Sequence, residues 1–234
     1  MSILYVLITS KTACYTLAMR MMMATTNRGK VAELKRILGD VEVELLSLER
    51  GAETESVETG STFAENALLK ARFYHDRSGL ITIADDSGLE VGALGGAPGL
   101  YSARYGATDA ERIARLLDDL RDVPVEGRTA RFVCAAAIVW EGGERVFSDE
   151  VRGRITFEPR GENGFGFDPI FYFEPAGKTF AEMTRDEKSR VSHRGRAFAR
   201  LAAWLKDAGL LDTSKSGAKI KLPTGSPLLP PYKR

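Results

Sequence analysis

A chain of 234 residues with 33 Lys and Arg against 32 Asp and Glu, 44% of it hydrophobic, has the size and balance of one large soluble domain or a pair of lobes. These proportions exclude a collagen-like repeat, a largely disordered chain and a membrane bundle. Cys14 and Cys134 stand far apart with only His75 and His193 for company, so neither a zinc-finger spacing nor a disulfide framework can be written; a reducing, cytoplasmic compartment is the simplest home.

Residues 1–20 read as an extension outside the core. Met1 to Leu17 is apolar but interrupted by Lys11, too short and broken to span a membrane, and it has neither the charged start nor the cleavage site of a secretion signal. A short buried strand is expected at Met21 to Ala24, stopping at Thr25, Thr26 and Asn27, after which Val31, Leu34, Ile37 and Leu38 recur at helical spacing. Thr62 with Glu65 reads as a capping box opening a helix through Phe63, Ala67, Leu68, Ala71 and Tyr74. Leu80 to Ala84 reads as an apolar strand ending at Asp85 and Asp86, and the glycine-rich stretch Ser87 to Ala107 as a long irregular loop.

Thr108 with Glu111 opens a further helix carrying Ile113, Leu116, Leu117 and Leu120. Thr129 to Trp140, the turn Glu141-Gly142-Gly143-Glu144 and a strand from near Arg145 predict an antiparallel hairpin. Then come the apolar Pro169 to Phe173, a third capping box at Thr184 with Glu187, and a last helix from about Arg194 to Ala208, ended by Gly209. The alternation predicts an α/β domain over residues 21–211. Residues 212–234 gather Lys215, Lys219, Lys221, Lys233 and Arg234 among Pro223, Pro227, Pro230 and Pro231, the composition of a disordered tail. Without that tail the body is slightly acidic, which argues against a nucleic-acid-binding face.

Four constellations carry chemistry. Thr25-Thr26-Asn27-Arg28-Gly29-Lys30 lies where a strand meets a helix start, so free N–H groups, the positive end of the helix dipole and an ammonium converge on a place suited to phosphate; an ordinary cap by Asn27 with an exposed lysine is the plainer reading. No glycine stands where a Walker A loop needs one, here or before Gly177-Lys178-Thr179. Glu58, with Asp85 and Asp86 at a buried strand's end, is a set of carboxylates whose repulsion Mg2+ would relieve; turn aspartates facing water are the alternative. Gly164-Phe165-Gly166-Phe167-Asp168-Pro169 offers rings for stacking on a flat ligand, or plain core anchors. Lys188-Ser189-Arg190-Val191-Ser192-His193-Arg194 clusters donors before the last helix, or merely solvates its start. An anion, a divalent cation and a planar ring are together answered by one nucleotide.

The ordered set of motifs resembles the inosine triphosphate pyrophosphatase family, also called dITP/XTP pyrophosphatases. It runs from Met23 to about Leu205 through Ala24 to Lys30, Glu58-Thr59-Gly60-Ser61-Thr62-Phe63-Ala64-Glu65-Asn66-Ala67, Ala84-Asp85-Asp86-Ser87-Gly88-Leu89, Leu94 to Gly99, Tyr101 to Tyr105, Gly164 to Phe171, and Ser192-His193-Arg194. Phe167 stands where a tyrosine is common and Thr26 where a glycine is common.

The resemblance implies an elongated mixed sheet with flanking helices, two lobes with a nucleotide cleft between them, and usually a homodimer. It implies hydrolysis of ITP, dITP and XTP to the monophosphate and pyrophosphate, with Mg2+ as cofactor and Mn2+ as the alternative ion. It places Thr25, Thr26, Asn27, Arg28, Gly29 and Lys30 on the phosphates, Lys30 being the key cation. Glu58 and Asp86 would hold the metal, and Asp86 would accept the proton. Ser87 would touch substrate, Phe165, Gly166, Phe167 and Asp168 would take the nucleoside, Lys188 would reach phosphate or base, and His193 with Arg194 would read the 6-oxo edge. The rival expectations are a pyrophosphatase for modified pyrimidine triphosphates and a non-catalytic nucleotide- or RNA-binding module. No nucleic acid or membrane partner is expected.

Overall fold

The computed structural model describes residues 19–39, 43–48 and 57–209; most of the expected extension and all of the expected basic tail lie outside them. The chain order is β1 (Met19–Met23), α1 (Arg28–Leu38), β2 (Val43–Ser47), α2 (Phe63–Ser78), β3 (Ile81–Val91), α3 (Asp109–Asp119), β4 (Thr129–Trp140), β5 (Gly143–Ile155), β6 (Phe171–Phe173), β7 (Lys178–Thr179), α4 (Arg185–Val191) and α5 (His193–Asp207). They build an α/β fold on one mixed sheet, ordered β2-β1-β3-β4-β5-β6-β7. β1 runs parallel to β2 and β3; the later pairs are antiparallel, so Met21 stands beside both Leu45 and Ile81.

The caps form as the sequence suggests, with a local variation. Thr62 accepts from the Glu65 N–H and Thr108 from the Glu111 N–H, but the two glutamates turn back to the residue before the cap, Ser61 and Ala107. Thr184 with Glu187 closes a full box, and Thr179 with Glu182 forms a further one. Each cap removes an orphan N–H from a helix start, worth about 1 kcal/mol.

Side-chain alternation along β4 divides the core. Cys134, Ala136, Ile138 and Trp140 pack with Met21, Met23, Leu34, Ile83, Phe198 and Leu201, the face covered by α1 and α5. Ala135, Ala137 and Val139 pack with Ala24, Ala84, Phe63, Ala67, Leu68 and Ala71, the face covered by α2, where small side chains allow close approach of the helix. Further along the β3–β4–β5 ribbon, a second lobe closes around Leu89, Leu116, Phe132, Ile155, Phe171 and Phe180. Full burial of each large side chain contributes roughly 1.5–3 kcal/mol.

Two expectations are corrected here. β3 does not stop at the aspartates: it continues through Asp85, Asp86, Ser87 and Gly88 to Val91, paired residue for residue with β4 from Val139 to Ala130. The stretch expected as a loop from Ser87 is therefore strand in its first part, followed by helical turns at Gly92–Leu94 and Gly99–Arg104. Ladder pairing outweighs the weak strand propensity of Asp, Ser and Gly. Gly88 fits because a Cβ there would lie 2.4 Å from the Gly99 carbonyl and 2.7 Å from Ser102 Oγ.

Candidate active site

An open cleft of about 280 Å3 lies between the lobes. Its first wall is the β1–α1 junction. Asn27 caps α1, its Oδ1 accepting from Gly29 N at 2.8 Å and Lys30 N at 3.3 Å, while Thr25 Oγ1 accepts from Asn27 N at 3.1 Å. Part of the expected anion-binding N–H set is thus already matched by the loop's own side chains. Thr25, Thr26, Asn27 and Lys30 line the cleft, whereas Arg28 and Gly29 stand outside its lining. Gly29 instead lies against the aromatic loop, where a Cβ would come 3.7 Å from the Phe165 ring.

β3 supplies the second wall. Because side chains alternate along a strand, Asp85 follows Ile83 onto the α1/α5 face and Asp86 follows Ala84 onto the α2 face. The expected repulsion between adjacent carboxylates therefore does not arise. Asp85 is fully buried and its Oδ2 meets Lys30 Nζ at 2.9 Å and Arg194 Nε at 3.1 Å. Burial pushes its pKa up, but Lys30 and Arg194 together outweigh that and hold the carboxyl well below the usual range.

Asp86 is surrounded differently. Its Oδ2 accepts from Asn66 Nδ2 at 3.0 Å and its Oδ1 from Ser87 N at 2.9 Å. Burial and the neighbouring Glu58 raise its pKa more than Lys70, Asn66 and Lys30 lower it. Glu58 is held by Lys70 at 2.6 Å, and both line the cleft. Lys70 is itself buried, which disfavours its charge, yet Asp85, Glu58 and Asp86 raise its pKa on balance.

Two carboxylates that feel one another and carry a net shortage of positive charge suit a hard divalent ion, which needs one or two protein carboxylates and completes its shell with water and phosphate oxygens. Glu58 and Asp86 are that pair. Among the described residues no group of three or more His, Cys, Asp or Glu gathers for a metal, at this cleft or elsewhere, so an ion here would rest on two carboxylates alone.

The third wall is the aromatic loop with α4 and α5. Phe165 lines the cleft, with Lys188 Nζ 4.9 Å and Arg194 Cζ 5.3 Å from its ring centre. Phe167 also borders the cleft but is 4% exposed and packs into the second lobe's core, so it acts as an anchor as much as a platform. Asp168 pairs with Lys188 and accepts from Phe165 N at 2.8 Å, fixing the loop; burial raises its pKa against the pull of Lys188.

His193 lies flat on Phe132 at 4.6 Å, and its Nδ1 has no partner among the described residues. Burial, with Arg194 and Lys188 adding to it, holds its pKa well below the ordinary value, so the ring is neutral at pH 7. Arg194 spends three of its donors on protein: Asp85, Glu33 at 3.3 Å and Ser87 Oγ at 2.8 Å. Burial disfavours its charge, but the two carboxylates keep it protonated.

The structure therefore draws Thr25, Thr26, Asn27, Lys30, Glu58 and Ser87 to one cleft with the aromatic loop, Lys188, His193 and Arg194, and seats Asp86 beside it. The sequence motifs give Asp85 no part as a charge organiser and Asn66, inside the Glu58–Ala67 run, no role, and they leave out Glu33 and Lys70. Lys70 carries a usable signal: a charged residue four positions after Asn66, on the helix face otherwise made of Phe63, Ala67 and Ala71.

A model described as the Ham1 family matches residues 21–204. The dITP/XTP pyrophosphatase of Thermus thermophilus is 50% identical over 192 residues, covering 81% of this chain and 93% of the relative. That of Frankia alni is 49% identical over 200 residues, covering 81% of this chain and 98% of its own. Among solved structures, a HAM1 protein from Coxiella burnetii superimposes with a TM-score of 0.72 at 40% identity, covering 81% of this chain and all of the other. A nucleoside-triphosphatase, dITP/XTP pyrophosphatase, from Mycobacterium abscessus does so with 0.64 at 47% identity, covering 78% and 98%. Matched along most of its length by family, relatives and fold, the chain belongs to the Ham1 family.

Proposed function

We propose that this protein hydrolyses noncanonical purine nucleoside triphosphates, ITP, dITP and XTP, to the nucleoside monophosphate and pyrophosphate. The observation that carries the reading is one cleft flanked by a helix-start lysine, a carboxylate pair and an aromatic loop ringed by cations. Relatives at about half identity bear the name dITP/XTP pyrophosphatase.

Water attacks the α-phosphorus, a new P–O bond forms, the bond to the bridging oxygen breaks, and pyrophosphate leaves. Lys30 faces the developing phosphate charge from a position set by Asp85, so little reorganisation is required as charge builds. Asp86 orients the water and takes its proton; before a cation binds, burial and Glu58 make it a stronger base than an ordinary aspartate. Glu58 and Asp86 would hold Mg2+, with Mn2+ as the alternative ion, and the ion would supply charge neutralisation on the phosphate oxygens. Lys188 completes the cationic side of the cleft.

The base stacks on Phe165. Arg194 and His193 read the 6-oxo group: a donor pairs with O6 of hypoxanthine or xanthine and is left unpaired by the 6-amino group of adenine. In this reading the enzyme is a cytoplasmic homodimer acting on free nucleotides, with no nucleic acid or membrane partner. Cys134 is a buried free thiol, in keeping with a reducing compartment, and no described helix is long and apolar enough to cross a membrane.

The test is pyrophosphate release from a nucleotide panel with and without Mg2+. ITP, dITP and XTP are expected to turn over, ATP on the order of 10^4-fold less. Equal turnover of ATP and ITP would overturn the selectivity, and preference for a modified pyrimidine triphosphate would favour the rival enzyme.

A further inference from the structure

The cleft has a fourth wall with no role so far. Arg112 of α3 lines it, with its side chain 22% exposed. Asp109 and Arg112 lie three apart in the first turn of a helix capped by Thr108, on neighbouring positions of one face. Asp109 Oδ2 accepts from Gly166 N at 2.7 Å, and its Oδ1 accepts from Arg112 Nη1 at 2.7 Å. Arg112 Nε donates to the Gly106 carbonyl at 3.0 Å. One carboxylate thus ties the guanidinium to the middle of the aromatic loop. Its second amino group, Nη2, has no partner among the described residues.

The loop is consequently flanked by cations from two directions. Lys188 and Arg194 approach the Phe165 ring from α4 and α5; Arg112 is tied to Gly166 through Asp109 on α3, where Tyr105 also packs edge-on to Phe167 with ring centres 6.5 Å apart. A purine on Phe165 therefore meets two separate donor sets, and the 6-oxo edge occupies only one.

We propose that Arg112 reads the 2-substituent of the purine, with Asp109 as its positioning residue; this rests on the pyrophosphatase reading above. A guanidinium only donates. The 2-oxo group of xanthine accepts from it, the C2–H of hypoxanthine is neutral to it, and the 2-amino group of guanine, itself a donor, leaves it unpaired. The 6-oxo edge cannot reject GTP, which carries the same oxygen as ITP. A donor on the 2-side separates the two.

The test compares kcat/KM for XTP, ITP and GTP in the full chain with Mg2+, for wild type, Arg112→Leu and Arg112→Lys. In Arg112→Leu the XTP value is expected to fall about tenfold or more relative to ITP, mostly through KM, and GTP to rise relative to ITP. Arg112→Lys, a cation without the fork, is expected to retain part of the XTP preference. Unchanged ratios, or an equal fall for all three nucleotides, would overturn the proposal; the latter would put the guanidinium on ribose or phosphate. If thermal melting shows Arg112→Leu unfolded, the XTP-to-ITP ratio of Arg112→Lys decides in the same way. Wild type that turned over neither ITP nor XTP would refute the pyrophosphatase reading as well, whereas unaltered ratios in active variants refute only the role of Arg112.

Discussion

Asp85 and Asp86 follow one another on β3 yet face opposite sides of the sheet, and their surroundings differ in sign. On the α1/α5 side, Asp85 is enclosed with Lys30 and Arg194 and keeps its charge in full burial. On the α2 side, Asp86 shares its space with Glu58, and Lys70 and Asn66 do not cancel the cost of ionising it. The first side is a charge cage that aims two cations from one oxygen, Oδ2, while the buried Oδ1 has no partner among the described residues. The second is short of positive charge, a carboxylate prepared for a proton or a metal ion. One strand carries both because its side chains alternate.

The comparison is broken most severely at Asp85. Asp85→Asn leaves half-buried Lys30 without its counter-charge and buried Arg194 with Glu33 alone, with an expected loss of up to about 3 kcal/mol in denaturant unfolding. Turnover is expected to collapse with it, since both cations lose their aim. The depressed pKa of Asp85 means that its contribution is present above the unfolded carboxylate pKa and is lost only as pH falls through the folded value. Near-wild-type unfolding of this variant would show that the cage contributes little.

A smaller effect sharpens the other side. The folded pKa of Asp86 is raised, so its proton favours the folded state, and that contribution is lost as pH rises through the folded value. The acid limb of the kcat/KM profile for ITP is expected above the ordinary carboxylate range near about 4. More Mg2+ should move this limb to lower pH, because a cation between Glu58 and Asp86 favours the ionised form. Lys70→Gln should move it to higher pH by removing a charge that lowers the Asp86 pKa. A limb insensitive to both would separate these carboxylates from the metal.

How much of this was legible in the sequence follows from the range of each signal. The caps at Thr62, Thr108 and Thr184 depend on residues within one turn, and they stand where the spacing put them. The seven-stranded mixed sheet agrees with the expected α/β alternation. Strand β3 runs past its expected end, which the poor strand propensity of Asp-Asp-Ser-Gly set, while the ladder that forms it comes from β4, about fifty residues later: Asp85 opposite Ala136 and Asp86 opposite Ala135. β2 passed unnoticed although Val43 and Leu45 alternate with Glu44, a pattern too short to stand out. Glu33, Asn66, Lys70, Asp109 and Arg112 each sit on a helix whose function-bearing face is defined only once the sheet and the aromatic loop lie against it. Pairings across such distances leave no local trace.

The division of labour between the two aspartates is tested most directly by Asp86→Asn, followed by pyrophosphate release from ITP and thermal melting on one preparation. Asparagine keeps one of the two acceptor contacts, to Asn66 or to Ser87 N, and no longer places an anion beside Glu58, so melting is expected near the wild-type temperature while turnover falls about 10^2- to 10^4-fold. Wild-type-like turnover in a folded Asp86→Asn protein would contradict the account.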